Sequence, residues 1–118
     1  MSDENCGIKI IRGDSFTLTV GLGPEWSETV KNAQLFIGRF VVREFQDDTA
    51  PNLLVLVGQI EPTDDPRYEP AIGLLHFEAP KFRTQSLPPY DLVCYCEIAG
   101  LGDSYTRRLF GGEVTVED

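Results

Sequence analysis

Short apolar stretches alternate with polar positions along most of the chain, and turn-forming residues separate them. Phe16-Thr-Leu-Thr-Val20 repeats with a period of two. Phe16, Leu18 and Val20 face one side and Thr17 and Thr19 the other, the pattern of a half-buried antiparallel strand. Ile8-Lys-Ile-Ile11 is a short β-branched segment before it, and Arg12-Gly-Asp14 reads as the turn between the two. Gly21-Leu-Gly-Pro24 ends the second strand. Glu25 to Asn32 has no clear period, which predicts a loop or one helical turn carrying Trp26. Ala33 to Phe45 is the longest strand candidate, and Gly38 inside it marks a bulge or a close backbone approach. Gln46 to Asn52 reads as a turn. Leu53 to Ile60 is apolar except at Gly58 and Gln59, which predicts a strand deep within a sheet.

The second half continues in the same way. Glu61 to Pro70 holds three Pro, four acids and one Arg, so it is a loop. Ala71 to Phe77 resumes a strand. Pro80 to Pro89 is a crossing segment, because Pro88 and Pro89 do not fit a central strand, with room for a helical turn near Phe82–Ser86. Leu87-Pro-Pro-Tyr90 then opens the alternating run Asp91-Leu-Val-Cys-Tyr-Cys-Glu-Ile98. A Gly-Leu-Gly-Asp turn and Ser104 to Val116 complete a closing hairpin. Short strands with turn signals at such intervals predict an all-β fold. The expectation is an immunoglobulin-like antiparallel β-sandwich of about seven strands, with residues 1–118 as one domain.

Charge narrows the possible partners. Ten basic residues face nineteen acidic ones, a net charge of -9. Phosphate binding relies on Lys and Arg to displace counterions, so nucleic acid is not the expected partner. An anionic membrane surface is disfavoured for the same reason. A solvated acidic surface or a basic protein partner fits better. Residues 1–20 lack the basic start and apolar block of a secretory signal. The longest aliphatic run, Leu53-Leu-Val-Leu-Val57, is too short to cross a bilayer. Three Cys fit poorly with a stapled secreted domain, so synthesis in a cytoplasm is expected.

Few residues suggest reaction chemistry. Cys94 and Cys96 share one strand face with Leu92 and Ile98. A structural zinc needs four ligands, and beyond this pair the chain offers only Cys6 and the single His, His76. Buried thiols in a core are the expected state. A Cys94–Cys96 bridge is disfavoured, since i and i+2 lie about 6.5–7 Å apart on a strand. His76, between Leu75 and Phe77, is expected on the outer face of its strand, and one His spells no Ser-His-Asp arrangement. Asp47, Asp48, Asp64, Asp65 and Glu69 lie in loops and lack a spaced calcium motif, so they read as solvated turns. Arg12-Gly-Asp14 matches an adhesion tripeptide but equally suits a turn. Arg107 and Arg108 should point to opposite faces, one of them fully to solvent and free to meet a carboxylate. Trp26, Tyr68, Tyr90, Tyr95 and Tyr105 are candidates for a sugar-stacking platform, whereas Phe16, Phe36, Phe40, Phe77 and Phe110 read as core. No catalytic, metal or cofactor site is expected.

Three places carry a resemblance. They are Ile11-Arg-Gly-Asp-Ser-Phe-Thr-Leu-Thr-Val20, Val30-Lys-Asn-Ala-Gln-Leu-Phe-Ile37, and Thr84-Gln-Ser-Leu-Pro-Pro-Tyr-Asp-Leu92 followed by Arg108-Leu-Phe-Gly-Gly-Glu-Val-Thr-Val116. In order and spacing the chain resembles small immunoglobulin-like structural proteins of tailed bacteriophages, including amino-terminal modules of baseplate and tail-fibre proteins. It departs from them in its longer acidic loop at 61–70 and in its Cys pair. The resemblance implies a virion component without enzymatic activity, docked in many copies on other virion proteins of the tail, baseplate, neck or capsid surface. A carbohydrate-binding module is the alternative. The expected contact residues are Trp26, Asp64, Asp65, Arg67, Tyr68 and Arg107.

Overall fold

The computed structural model of the chain describes residues 5–47, 49–102 and 105–118. The acidic lead at 1–4, Asp48 and the turn positions Asp103 and Ser104 lie outside the described residues, as does the side chain of Cys6. Among the described residues eight strands form two sheets packed face to face, so the all-β, sandwich-like expectation holds. The strands are β1 (Asn5–Ile11), β2 (Phe16–Leu22), β3 (Phe36–Arg43), β4 (Asn52–Gly58), β5 (Ile60–Pro62), β6 (Gly73–Ala79), β7 (Leu92–Gly100) and β8 (Thr106–Glu117). The larger sheet has the order β1-β8-β7-β3-β4 and the smaller β2-β6-β5.

Local alternation placed most strands correctly. Phe16 is buried and Thr17 and Thr19 are exposed along β2, which pairs antiparallel with β6. The closing hairpin is β7 with β8. The turn after Ile11 is held by the Asp14 N–H donating to the Ile11 carbonyl (3.1 Å), with Gly13 at φ +86°. The adhesion reading of Arg12-Gly-Asp14 gains nothing from this turn. Arg12 is held by Asp118 (2.6 Å) and the Gln85 carbonyl (3.2 Å).

Three expectations are corrected. The described residues form eight strands, because Leu53 to Ile60 is not one deep strand. Its first part, β4, is the edge of the larger sheet, and after Gln59 the chain crosses to pair Ile60 with Leu75 in the smaller one. The sandwich is not wholly antiparallel, since β1 runs parallel to β8. Ala33 to Phe45 is trimmed at both ends: Ala33–Leu35 is a 3-10 turn and the strand stops at Arg43, leaving β8 the longest strand. As the helical turn expected near Phe82–Ser86 anticipated, the crossing segment contains a short helix, α2 (Lys81–Thr84). A further short helix, α1 (Ser27–Lys31), follows a 3-10 turn at Pro24–Trp26, as the 25–32 stretch suggested.

The core lies between the sheets. Phe40 of β3 stacks on Phe16 (5.9 Å between centroids) and lies tilted beside Phe77 (6.1 Å). Cys94 and Cys96 join Leu92 and Ile98 in this layer as buried side chains. Burial pushes the Cys96 thiol up to about 12, with the neighbouring Glu97 carboxylate adding to it. Gly38 marks a close approach rather than a bulge. It faces Gly58 across β3 and β4, and a Cβ on Gly38 would lie 2.6 Å from a Leu75 methyl.

Candidate functional site

The strand directions gather three connections at one end of the sandwich. These are 23–35 between β2 and β3, 63–72 between β5 and β6, and the turn after Gly100 between β7 and β8. Backbone bonds tie them to each other and to the sheets. The Leu101 N–H donates to the Leu35 carbonyl (2.9 Å), and the Ile72 N–H donates to the Leu22 carbonyl (2.8 Å). All six expected contact residues lie at this end, although up to 81 positions separate Trp26 from Arg107 in the chain.

Their states differ from the expectation in two respects. Trp26 is 7% exposed, so it is not a free contact surface. The Arg107 guanidinium lies 4.7 Å above its ring and covers it, a cation–π contact that puts the Arg outermost. Arg107 and Arg108 do leave β8 on different sides, over Trp26 and Tyr95 respectively, yet both are exposed. Among the described residues neither forms an ion pair. Glu97, opposite Arg108 in register, is instead held by Arg39 at 2.6 Å.

The 63–72 loop is internally braced. Asp65 begins a 3-10 turn at Pro66–Tyr68, accepting from the Arg67 N–H (3.0 Å) and binding its guanidinium (2.7 Å). These bonds hold the Asp65 carboxyl below the usual aspartate value and the Arg67 guanidinium above its own. Arg67 also lies 5.6 Å over the Tyr68 ring. Asp64 stands exposed beside this brace.

Large apolar side chains are exposed at both ends: Ile11, Phe45, Phe82 and Tyr90 lie at the opposite end and are 41–71% exposed. Leu35, Val57, Tyr68, Leu101 and Tyr105 are 39–59% exposed and lie on the three connections or on adjoining strand ends. Tyr105 is braced edge-on against Phe36 (5.5 Å, 72°). Leu35 and Leu101 went unnoticed in sequence. Leu35 was read as part of the Ala33–Phe45 strand, and Leu101 carried only the signal of a Leu between two Gly, which the fully buried Leu22 shares.

The sugar platform does not assemble. Tyr68 and Tyr105 share the loop end, Tyr95 sits mid-sheet, and Tyr90 lies at the opposite end, where its hydroxyl donates to Glu44 (2.5 Å). That bond raises the Tyr90 hydroxyl above its usual value, since ionisation would lose it. The acidic loops are also apart. Asp47 belongs to the β3–β4 turn and Asp64, Asp65 and Glu69 to the other end, separated by β4, about 23 Å long at roughly 3.3 Å per residue. Asp47 is used locally, accepting from the Thr49 N–H and hydroxyl (2.8 Å each), and these bonds lower its carboxyl. Among the described residues no three His, Cys, Asp or Glu side chains cluster as metal ligands.

His76 does stand on the outer face of its strand. Its ring nitrogens meet Thr19 Oγ1 (3.0 Å) and Glu78 Oε2 (3.1 Å). The row follows from the Thr19–His76 strand pairing and the i, i+2 spacing to Glu78. The His76 and Glu78 side chains are more than half exposed on a flat sheet face, and in this row the carboxylate meets Nε2 while the hydroxyl meets Nδ1. A hydrolytic triad uses the reverse arrangement. Among the described residues no helix is long and apolar enough to cross a membrane. Neither a scan against protein-family models nor a search of curated proteins gives a match to this chain.

Proposed function

We propose that this chain is a non-enzymatic structural protein of a tailed bacteriophage virion, made in the host cytoplasm, which docks on other virion proteins through its loop end. The observation that carries the docking reading is the convergence there of five exposed apolar side chains with all six residues nominated from sequence. Exposed apolar patches with polar rims mark protein contact surfaces. Here Asp64, Arg67 and Arg107 supply the rim. The braced Asp65–Arg67–Tyr68 turn and the Tyr105–Phe36 contact hold the patch rigid, which lowers the entropy cost of binding. Many copies on a symmetric particle multiply weak single contacts through avidity.

The immunoglobulin-like reading belongs to the same proposal. A β2-β6-β5 sheet facing β8-β7-β3-β4, with the closing hairpin at the heart of the larger sheet, parallels the BED and GFCC′ arrangement of variable-type sandwiches. The chain departs from antibody domains in its centre, where the Phe16–Phe40–Phe77 cluster replaces the Trp and inter-sheet disulfide. The carbohydrate alternative is weakened by the burial of Trp26 and by the dispersal of the tyrosines.

The test is quantitative mass spectrometry of purified phage particles together with immunogold labelling against this chain. The chain at a fixed ratio to the major tail or capsid protein, with gold on the head or the tail, supports the proposal. Its absence from washed, infectious particles overturns it.

A further inference from the structure

The outer face of the larger sheet carries a small hollow that the loop-end reading does not use. Its volume is about 80 Å³, and Arg43, Gln46, Tyr95, Arg108 and Gly111 line it. Local backbone features build it. Between Cys96 and Glu97 the β7–β8 register slips, so that Leu109 is an extra residue and β8 bends. Beside this bulge, Arg108 places its guanidinium carbon 4.1 Å from the Tyr95 ring centroid. Opposite Tyr95 stands Gly111, where even a Cβ would come within 3.3 Å of the Cys94 carbonyl and 3.9 Å of Arg108 Cδ. A larger residue there would fill the space.

Arg43 forms another wall, 5.3 Å from the Tyr95 centroid. Its Nε donates to Asn52 Oδ1 (2.8 Å) and its Nη2 to the Tyr95 hydroxyl (3.4 Å), so its orientation is set in advance. Arg108 is different. The acid opposite it, Glu97, is occupied by Arg39, and among the described residues the Arg108 guanidinium donates to no acceptor. Stacking on a ring uses the face of the guanidinium and leaves its in-plane N–H groups available for a planar oxyanion.

We infer that this hollow receives a carboxylate from a protein partner, an Asp or Glu side chain or a chain terminus, held by Arg108 against the Arg43–Tyr95 wall. The hollow has room for a small planar group such as a carboxylate. Charge directs it. The chain carries a net charge of -9, and on this face Glu97 balances Arg39 and Glu113 is exposed two positions from Gly111, whereas Arg43 and Arg108 converge on Tyr95, so the local attraction for an anionic group centres on that pair. The flanking surface favours a protein over a free ion. Val55 and Val57 of β4 lie beside the arginine rows in register, and Val57 is 59% exposed, leaving apolar area for a polypeptide to cover. This surface adjoins the loop end at Val57 but uses none of the six residues expected there, and the inference stands whether or not the chain is a virion protein.

The test is an NMR titration of the intact, ¹⁵N-labelled chain with an acetyl-hexaglutamate amide peptide and, separately, with inorganic phosphate. The arginine Nε–Hε signals are followed. The peptide should shift Arg108 and the Gly111 amide saturably. Arg108→Gln should weaken it by about tenfold or more, the loss of one charge-assisted bond, with an unchanged melting temperature. Lys31→Gln, an equal charge change on exposed α1, should leave the titration as it was. Gly111→Val should also abolish the shift; Arg108→Gln serves as the separate check if that variant does not fold. Non-saturating shifts spread over all arginines, or equal weakening in Arg108→Gln and Lys31→Gln, overturn the inference. So does phosphate binding as tightly as the peptide, which would make the site a phosphate pocket.

Discussion

Replacing Thr84 with Val should destabilise the protein well beyond what a near-isosteric change usually costs. Thr84 is fully buried in α2, and its hydroxyl joins that helix to the β1–β2 turn. Oγ1 donates to the Asp14 carbonyl (2.7 Å), with the Lys81 carbonyl also in reach (3.0 Å), and accepts from the Gly13 N–H (3.1 Å). Valine keeps the volume but removes both links to the turn. At about 1–1.5 kcal/mol for each lost bond whose partner stays largely dry, the expected loss is about 2–3 kcal/mol. With an unfolding entropy of about 2.1 cal/mol/K per residue over 118 residues, the melting temperature should fall by roughly 8–12 °C. The single tryptophan, Trp26, is buried and reports unfolding by fluorescence in urea. Thr84→Ser separates the hydroxyl from the methyl: it keeps the bonds, loses one methyl group and should cost only about 1 kcal/mol. A Val variant within about 0.5 kcal/mol of the parent, or a Ser variant just as weak as Val, would refute the hydrogen-bond account.

Other substitutions and conditions test the core and the loops. Gly58→Ala should destabilise more than Gly38→Ala. The new methyl would meet the His76 backbone carbonyl at 2.6 Å in the first case, and the end of a Leu75 side chain at 2.6 Å in the second. Urea midpoints should show about 1–3 kcal/mol for overpacking, and the opposite ranking would mean that β6 gives way more easily than Leu75 repacks. Cys94 and Cys96 should resist iodoacetamide at mildly alkaline pH in the native chain and react on unfolding, because both thiols are buried and Cys96 ionises only at about 12. Rapid native alkylation read by mass spectrometry would contradict their burial. Asp65 and Asp47 have folded-state values below the ordinary 3.8. Their contribution is therefore present above that value and lost as pH falls through the lower folded one. Melting curves of Asp65→Asn should show a lower stability at neutral pH and a shallower decline in acid than the parent. Parallel curves would show that the Asp65–Arg67 brace contributes nothing to folding.

What could be read from the residues alone was local. Period-two alternation located β2, β6 and the β7–β8 hairpin, since side chains on successive strand positions must face opposite sides whatever the partner strand is. Cys94 and Cys96 went to the core for the same reason, and Gly38 announced a close approach without naming Leu75 as its neighbour. Partnership between strands was not legible. Leu53 to Ile60 reads as one buried strand, but the sheet switch at Gln59 depends on Ile60 meeting Leu75, a contact with no local signature. The parallel pairing of β1 with β8 joins the two ends of the chain and leaves no period of its own. Trp26 was named as a contact residue, but its burial beneath Arg107 was not legible, because only the fold brings Arg107 over its ring.

The sites divide in the same way. Composition and charge, sums over residues, were fully determined by the sequence: an acidic chain with scattered aromatics, one His and no metal-binding spacing. Tertiary structure decided where those side chains meet. It collected Trp26, residues 64–68 and Arg107 at one end because β2, β5 and β7 all finish there. It set Arg108 over Tyr95 beside a one-residue slip in the β7–β8 register and brought Arg43 to the same ring through the pairing of β3 with β7. Side-chain direction along a strand is fixed by backbone geometry within a few residues, whereas register and sheet order are settled by packing between segments far apart in the chain.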